Sequence, residues 1–228
     1  METFSLRDQE GVPIDWKLIK VLSTISSIPQ QGGYFVEAGA NDGMTQSNTL
    51  LLERKFGWRG LLVEPCIQSY NKCKMIRGSN PLNTVVHGAL VSSDDIKTVS
   101  GDFVATANTV DYDSLMNSIG GTRKRENRPL VEVPSYTLSA LYKQYNLPNI
   151  DLMSLDVEGY EIEVLKGIDL SASWAPKVFL IELYNNEKEE VFSMLEPYYT
   201  NCGNFTKYAK DDPTWVEHND YLFIRKGI

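Results

Sequence analysis

The chain has 228 residues, 42% hydrophobic and 23% charged, which suits one large globular domain with length enough to bury a core. Its formal net charge of −8 argues against general nucleic-acid binding, because neutralising phosphate takes an excess of Lys and Arg. No apolar run approaches the ~20 residues of a membrane span, and no charged-then-apolar signal segment is read at the N-terminus.

In chain order, Ile14, Leu18, Val21, Leu22 and Ile25 predict an amphipathic helix over 13–28, stopped by Pro29 and Gly32-Gly33. A strand follows at Tyr34–Ala38, then a helix starting near Ser47-Asn48 and closed by Gly57. Gly60–Val63 reads as the second strand, Ile67–Ile76 as a helix and Thr84–Leu90 as the third strand. Residues 92–149 break the rhythm with polar text, the basic run Arg123-Lys-Arg125 with Arg128, a strand at Leu130–Val133 and a short helix at Leu138–Tyr145. This segment is too short and polar to own a core, and it reads as an elaboration between the third and fourth core strands. Strand Ile150–Val157, helix Glu161–Lys166 before Gly167, strand Val178–Leu183 and helix Glu187–Tyr198 resume the alternation. Strands near Phe205–Ala209 and Tyr221–Arg225 close it as a hairpin, so one of them runs antiparallel. The expected fold is α/β: a mostly parallel sheet with helices on both faces.

The three cysteines, Cys66, Cys73 and Cys202, are odd in number and lack metal-ligand spacing. They read as reduced thiols, which favours a reducing compartment and a cytoplasmic location.

In such a sheet, ligands bind beyond the carboxyl ends of the strands. Those ends carry Glu37, Glu64, His87, Asp156 and Glu182. The turn after the first strand, Gly39-Ala40-Asn41-Asp42-Gly43, lets a backbone approach a ligand closely. Glu64-Pro65 follows about 20 residues later, the spacing of a ribose-reading acid. The turn is G-x-x-x-G rather than G-x-G-x-x-G, and a pyrophosphate there would meet Glu37 and Asp42. A cationic ligand end fits better. S-adenosylmethionine, with its ammonium and sulfonium, satisfies that requirement. The bland alternatives are a tight turn without a ligand and a surface acid at a strand end.

A third piece, Asp156-Val-Glu158-Gly-Tyr-Glu161 followed by Glu163-Val-Leu-Lys-Gly167, completes a pattern. With Gly39–Gly43 and Glu64-Pro65, it resembles the FkbM family of S-adenosylmethionine-dependent methyltransferases over roughly residues 33–228. The resemblance implies a class I (Rossmann-like) methyltransferase sheet of seven mostly parallel strands with an antiparallel last strand. Residues 1–32 are then an N-terminal helical extension, 33–228 the methyltransferase domain and 92–149 an insertion. By motif position, Glu37, Gly39, Ala40, Asn41, Asp42 and Gly43 face the methionine part of the cofactor, with Ser47 and Asn48 near its carboxylate. Glu64 and Pro65 serve the ribose; His87, Gly88 and Ala89 border the adenine; Asp156 lies beneath the sulfonium.

The expected reaction is O-methylation of a small acceptor, a glycan or secondary metabolite. Asp156 and Glu158 are the candidate bases or base-orienting groups, and His218 is a rim candidate weighed against a solvated loop histidine. A divalent metal of the Mg or Ca type is the rival arrangement, ligated by Asp156 and Glu182 with Glu158 as a third. The run Gly120–Arg125 reads either as a flap for an anionic acceptor or as a solvated loop. A methyltransferase-like scaffold without turnover and an NAD-dependent oxidoreductase stay open as alternatives. Oligomeric state cannot be read from the sequence.

Overall fold

The computed structural model describes residues 2–101, 103, 130–207 and 218–228, with His218 described by its backbone alone. Its strands are β1 (Tyr34–Ala38), β2 (Arg59–Glu64), β3 (Thr84–His87), β4 (Ala89–Leu90), β5 (Thr98–Gly101), β6 (Val131–Tyr136), β7 (Leu152–Leu155), β8 (Val178–Tyr184), β9 (Tyr199–Asn204) and β10 (His218–Arg225). Its helices are α1 (Ile14–Leu22), α2 (Leu50–Phe56), α3 (Ile67–Ile76), α4 (Leu138–Gln144), α5 (Glu161–Lys166) and α6 (Lys188–Leu195).

Seven strands form one sheet in the order β3-β2-β1-β7-β8-β10-β9. The pairs from β3 through β8 are parallel, and β10 runs antiparallel to both neighbours. The central strands are near-continuous apolar runs because both faces of the sheet are covered. Alternate residues feed two cores. Tyr34, Val36, Leu61, Val63, Phe179 and Ile181 pack on one side, while Phe35, Leu62, Leu180 and Leu222 join Leu18 and Leu22 of α1 on the other.

Several elements differ from the sequence expectation. The first helix ends at Leu22 rather than near residue 28. There the Ser23 and Thr24 hydroxyls donate back to the Lys20 and Val21 carbonyls, competing with helix propagation. The third strand breaks at Gly88, so β4 leaves the main sheet and pairs with β6. With β5 antiparallel on its other side, β6 centres a small second sheet whose short strand β5 the sequence did not reveal. The strand that pairs with β10 is Tyr199–Asn204, ahead of the expected Phe205–Ala209, of which residues 208 and 209 lie outside the described residues. Its Thr-Asn-Cys-Gly-Asn text is polar because β9 is an edge strand, exposed along much of its length.

The register aligns the strand ends that matter. Ala38 pairs with Val63 and Leu155, Leu155 with Ile181, Glu64 with His87, and Asp220 with Glu182. The turn after β1, the ends of β2 and β3, Asp156 after β7 and Glu182 in β8 therefore share one edge, the crevice side of an open α/β sheet.

Candidate active site

The chain leaves β1 through a turn that only particular residues tolerate. Gly39 has φ +81°, and a Cβ on it would lie 1.7 Å from the Asp156 carbonyl oxygen, so β1 and β7 meet too closely there for any side chain. Asn41 also has positive φ, at 47°, and its Oδ1 accepts a hydrogen bond from Ser69 in α3. Asp42 caps the turn, accepting from the Met44 and Thr45 amides at 2.9 and 2.7 Å and from the Thr45 hydroxyl. Its burial works against ionisation, but these donors hold its carboxyl below the ordinary value.

Glu37 is buried and saturated. It accepts from Ser47 Oγ at 2.9 Å, the Asn48 amide at 3.1 Å and Thr49 Oγ1 at 2.7 Å, with Arg77 Nη1 at 3.4 Å. Ser47 Oγ in turn accepts the Leu50 amide at 3.1 Å, and α2 begins at Leu50 rather than near Ser47. Asn48 spends its side-chain amide on Ser154 of β7. Arg77, Thr49, Ser69 and Ser154 were not legible as site residues; their roles arise from tertiary placement, and no local spacing marks them.

Glu64 ends β2 with its carboxylate aimed back at the turn, accepting the Asn41 amide at 2.7 Å and the Cys66 amide at 2.8 Å. Burial raises it to about 7 against the pull of those two donors, and Asp156 and Asp42 push the same way as burial. Pro65 contributes its carbonyl, which His87 Nε2 meets at 3.0 Å. A carbonyl only accepts, so Nε2 carries the proton and is no base at that atom. The His87 ring lies tilted on Tyr70 with centroids 5.1 Å apart. Gly88 is required beyond it, since a Cβ there would stand 2.6 Å from the Pro134 carbonyl. Ala89 begins β4, opposite Ser135.

Beyond β7 the backbone turns through Glu158 and Gly159, both in the left-handed region at φ 62° and 90°. For glutamate this conformation is strained, and strain of this kind collects at functional turns. Asp156, Glu158 and Glu182 converge, each offering a carboxylate oxygen within 4.8 Å of the others. Burial raises Asp156 to about 6, offset in part by a hydrogen bond from the Glu182 carboxyl and reinforced by Glu37. Asp156 Oδ1 is buried with no hydrogen-bond partner. Glu158 and Glu182 are pushed well above the carboxylate range by burial and then by Asp156. Glu161, fully buried at the start of α5, is raised by burial and by Glu187; one of its oxygens accepts the Val157 amide and the other lacks a partner. No lysine or arginine among the described residues is a partner of Glu64, Asp156 or Glu158. His218 has its backbone opposite Tyr184 on β8, at the same edge. Its side chain, Trp215 and the Gly120–Arg125 run lie outside the described residues.

The Methyltransferase FkbM domain matches residues 37–221, most of the chain. The chain belongs to this family. The FkbM methyltransferase structure from Methylobacillus flagellatus shares the fold at TM-score 0.53 and 15% identity, covering 89% of this chain. The FkbM-family chain described here spans about half (47%) of that protein's length. A fibrillarin from Aeropyrum pernix, solved with natively bound S-adenosyl-L-methionine, matches at TM-score 0.48 and 11% identity over 91% of this chain and 73% of its own. A Plasmodium falciparum dimethyladenosine transferase matches at 0.49 and 11% over 97% and 63%. No curated protein matches the sequence. No helix among the described residues is long and apolar enough to cross a membrane.

Proposed function

We propose that this FkbM domain transfers a methyl group from S-adenosylmethionine to a hydroxyl of a small acceptor, a glycan or a secondary metabolite. The observation that carries the cofactor assignment is the use of the turn's own amides. The N–H groups of Gly39 and Ala40 go to the Val63 carbonyl, Asn41 to Glu64, Gly43 to the Ala40 carbonyl, Met44 and Thr45 to Asp42, and Asn48 to Glu37. A pyrophosphate needs such amides free, so a dinucleotide fits poorly. The turn and neighbouring strand ends offer carboxylate acceptors instead, including the orphaned Asp156 Oδ1. Acceptors without partner cations suit ribose hydroxyls and a positively charged ligand end.

When bound, S-adenosylmethionine supplies a methyl group on a positively charged sulfur leaving group. Glu64, fixed by two amides, is the ribose acceptor. Asp156 and Glu158 would stand beside the acceptor hydroxyl and take or orient its proton as it is methylated. The raised carboxyls bring proton affinity closer to neutral pH, which suits a general base. The strained Glu158 turn holds that carboxyl in place. A divalent cation on Asp156, Glu158 and Glu182 is a second reading, favoured by their 4.8 Å convergence and by the hard oxygen ligands. The three free thiols, two of them buried, suit a cytoplasmic setting.

Calorimetry with S-adenosylhomocysteine and NAD tests the cofactor, and transfer of labelled methyl to a panel of hydroxylated acceptors tests the reaction. S-adenosylhomocysteine should bind, NAD should not, and Glu64→Ala should cost about 1 kcal/mol or more in the former. Tight NAD binding alone would reject the assignment. Binding without transfer to any acceptor would favour a scaffold. Turnover unchanged by chelator would remove the metal.

A further inference from the structure

We infer that Arg77 is a positioning residue for the cofactor's amino-acid end, holding the turn after β1 in its ligand-ready shape from the end of α3. This rests on the S-adenosylmethionine assignment above.

Arg77 stands just after α3 and is fully buried. Its guanidinium spreads over three parts of the chain. Nη1 donates to the Gly43 carbonyl at 3.0 Å and Ser47 Oγ at 3.2 Å, and lies 3.4 Å from Glu37 Oε2. Nη2 donates to Thr49 Oγ1 at 3.0 Å, and Nε to Glu53 Oε2 at 2.6 Å. The guanidinium carbon sits 5.3 Å from the Phe35 ring centroid in β1. A planar fork with five donors can tie a carbonyl, two hydroxyls and two carboxylates at once; an ammonium cannot.

These partners bracket the turn. Phe35 and Glu37 lie in the strand entering it, Gly43 and Ser47 within it, Thr49 just ahead of the helix leaving it and Glu53 in that helix. Gly43 is pressed against the same residue, since a Cβ there would come within 2.7 Å of Arg77 Cγ and 2.9 Å of Cys73 Sγ. In nucleotide-binding βαβ units this first turn meets the part of the ligand beyond the ribose, while the acid after the second strand meets the ribose itself. Arg77 bonds the helix-side part of the turn, Gly43 and Ser47, and makes no bond to Glu64, which is held by the Cys66 amide and by the amide of Asn41 in the strand-side part. Disturbing Arg77 should therefore affect recognition of the amino-acid tail and spare the nucleoside.

The test compares S-adenosylhomocysteine with 5′-methylthioadenosine, which keeps the nucleoside and lacks the amino-acid end. In Arg77→Lys, S-adenosylhomocysteine should bind at least tenfold more weakly, with 5′-methylthioadenosine changed less than threefold. Glu53→Gln, which slackens the guanidinium from α2, should show the same selectivity at smaller size and serves if Arg77→Lys does not fold. Equal loss for both ligands, or no loss for either, in a folded variant would overturn the inference while leaving the cofactor assignment standing. Wild-type protein that binds neither ligand would overturn both.

Discussion

Glu37 and Asp156 sit at the ends of adjacent, hydrogen-bonded strands, yet the protein treats them oppositely. Glu37 is ringed by two hydroxyls, a backbone amide and a buried guanidinium. Asp156 keeps a buried oxygen without a partner and has Glu158 and Glu182 for neighbours. An ionised group buried without compensation costs several kcal/mol, so a fold selected for stability alone would make both ends resemble the first. The difference sets a braced turn against the proposed site: a paired carboxylate shapes the turn after β1, while beyond β7 three carboxyl groups converge and burial raises each of them.

The largest way to break this arrangement is at Gly39, where the two ends touch. Gly39→Ala places a methyl group against the Asp156 carbonyl and a side chain at φ +81°, so both regions must shift. A loss of about 4 kcal/mol or outright failure to fold is expected in chemical denaturation. Gly57→Ala is the control. It shares the positive φ, at 62°, but nothing lies within 4 Å of the added Cβ, so the cost should stay near ~1 kcal/mol. Similar losses in both would mean that conformation, not the close approach of β1 to Asp156, makes Gly39 necessary.

This contrast also explains what the sequence could disclose. Buried parallel strands announce themselves because both faces are apolar, as in Leu61-Leu62-Val63 and Phe179-Leu-Ile181. Acids at their ends stand out against such runs, which is why Glu64, Asp156 and Glu182 were legible and why the β1 turn was found. The end of α1 was not, because Ile25 and Ile28 continue the apolar pattern after Ser23 and Thr24 have diverted the backbone carbonyls. Strand β9 was misplaced because an edge needs no apolar face. Arg77 was invisible for a deeper reason. Its partners Glu37, Gly43, Ser47, Thr49 and Glu53 precede it by 24 to 40 positions, and no local rule relates them.

The raised carboxyls along this sheet edge can be tested by pH. Glu64 has an ordinary value of 4.5 and is raised to about 7 in the folded chain, chiefly by burial. The folded state therefore binds more protons between those values, and stability falls as pH rises through that window. Asp156, Glu158, Glu161 and Glu182 are shifted in the same direction and add to the trend. The ligand-free protein should be more stable at pH 5 than at pH 8, with Glu64 contributing on the order of 3 kcal/mol. Glu64→Gln should shrink the difference between the two pH values, whatever it does to stability at either one. Thermal unfolding across this range measures both. An unchanged pH dependence in the variant would show that Glu64 does not titrate there.

The smallest expected effect comes from Asn48, which touches both regions by different atoms. Its backbone amide serves Glu37, and its side chain donates to Ser154 of β7 at 3.1 Å. Asn48→Ala removes only the second bond, at a cost of about 1 kcal/mol in unfolding, because the amide and the Arg77 network stay in place. Affinity for S-adenosylhomocysteine should move less than about threefold, since the side chain is already committed within the protein. A tenfold loss of affinity in a variant of near-normal stability would mean that Asn48 abandons Ser154 to meet the ligand. The boundary between braced turn and proposed site would then run through this residue rather than between Glu37 and Asp156.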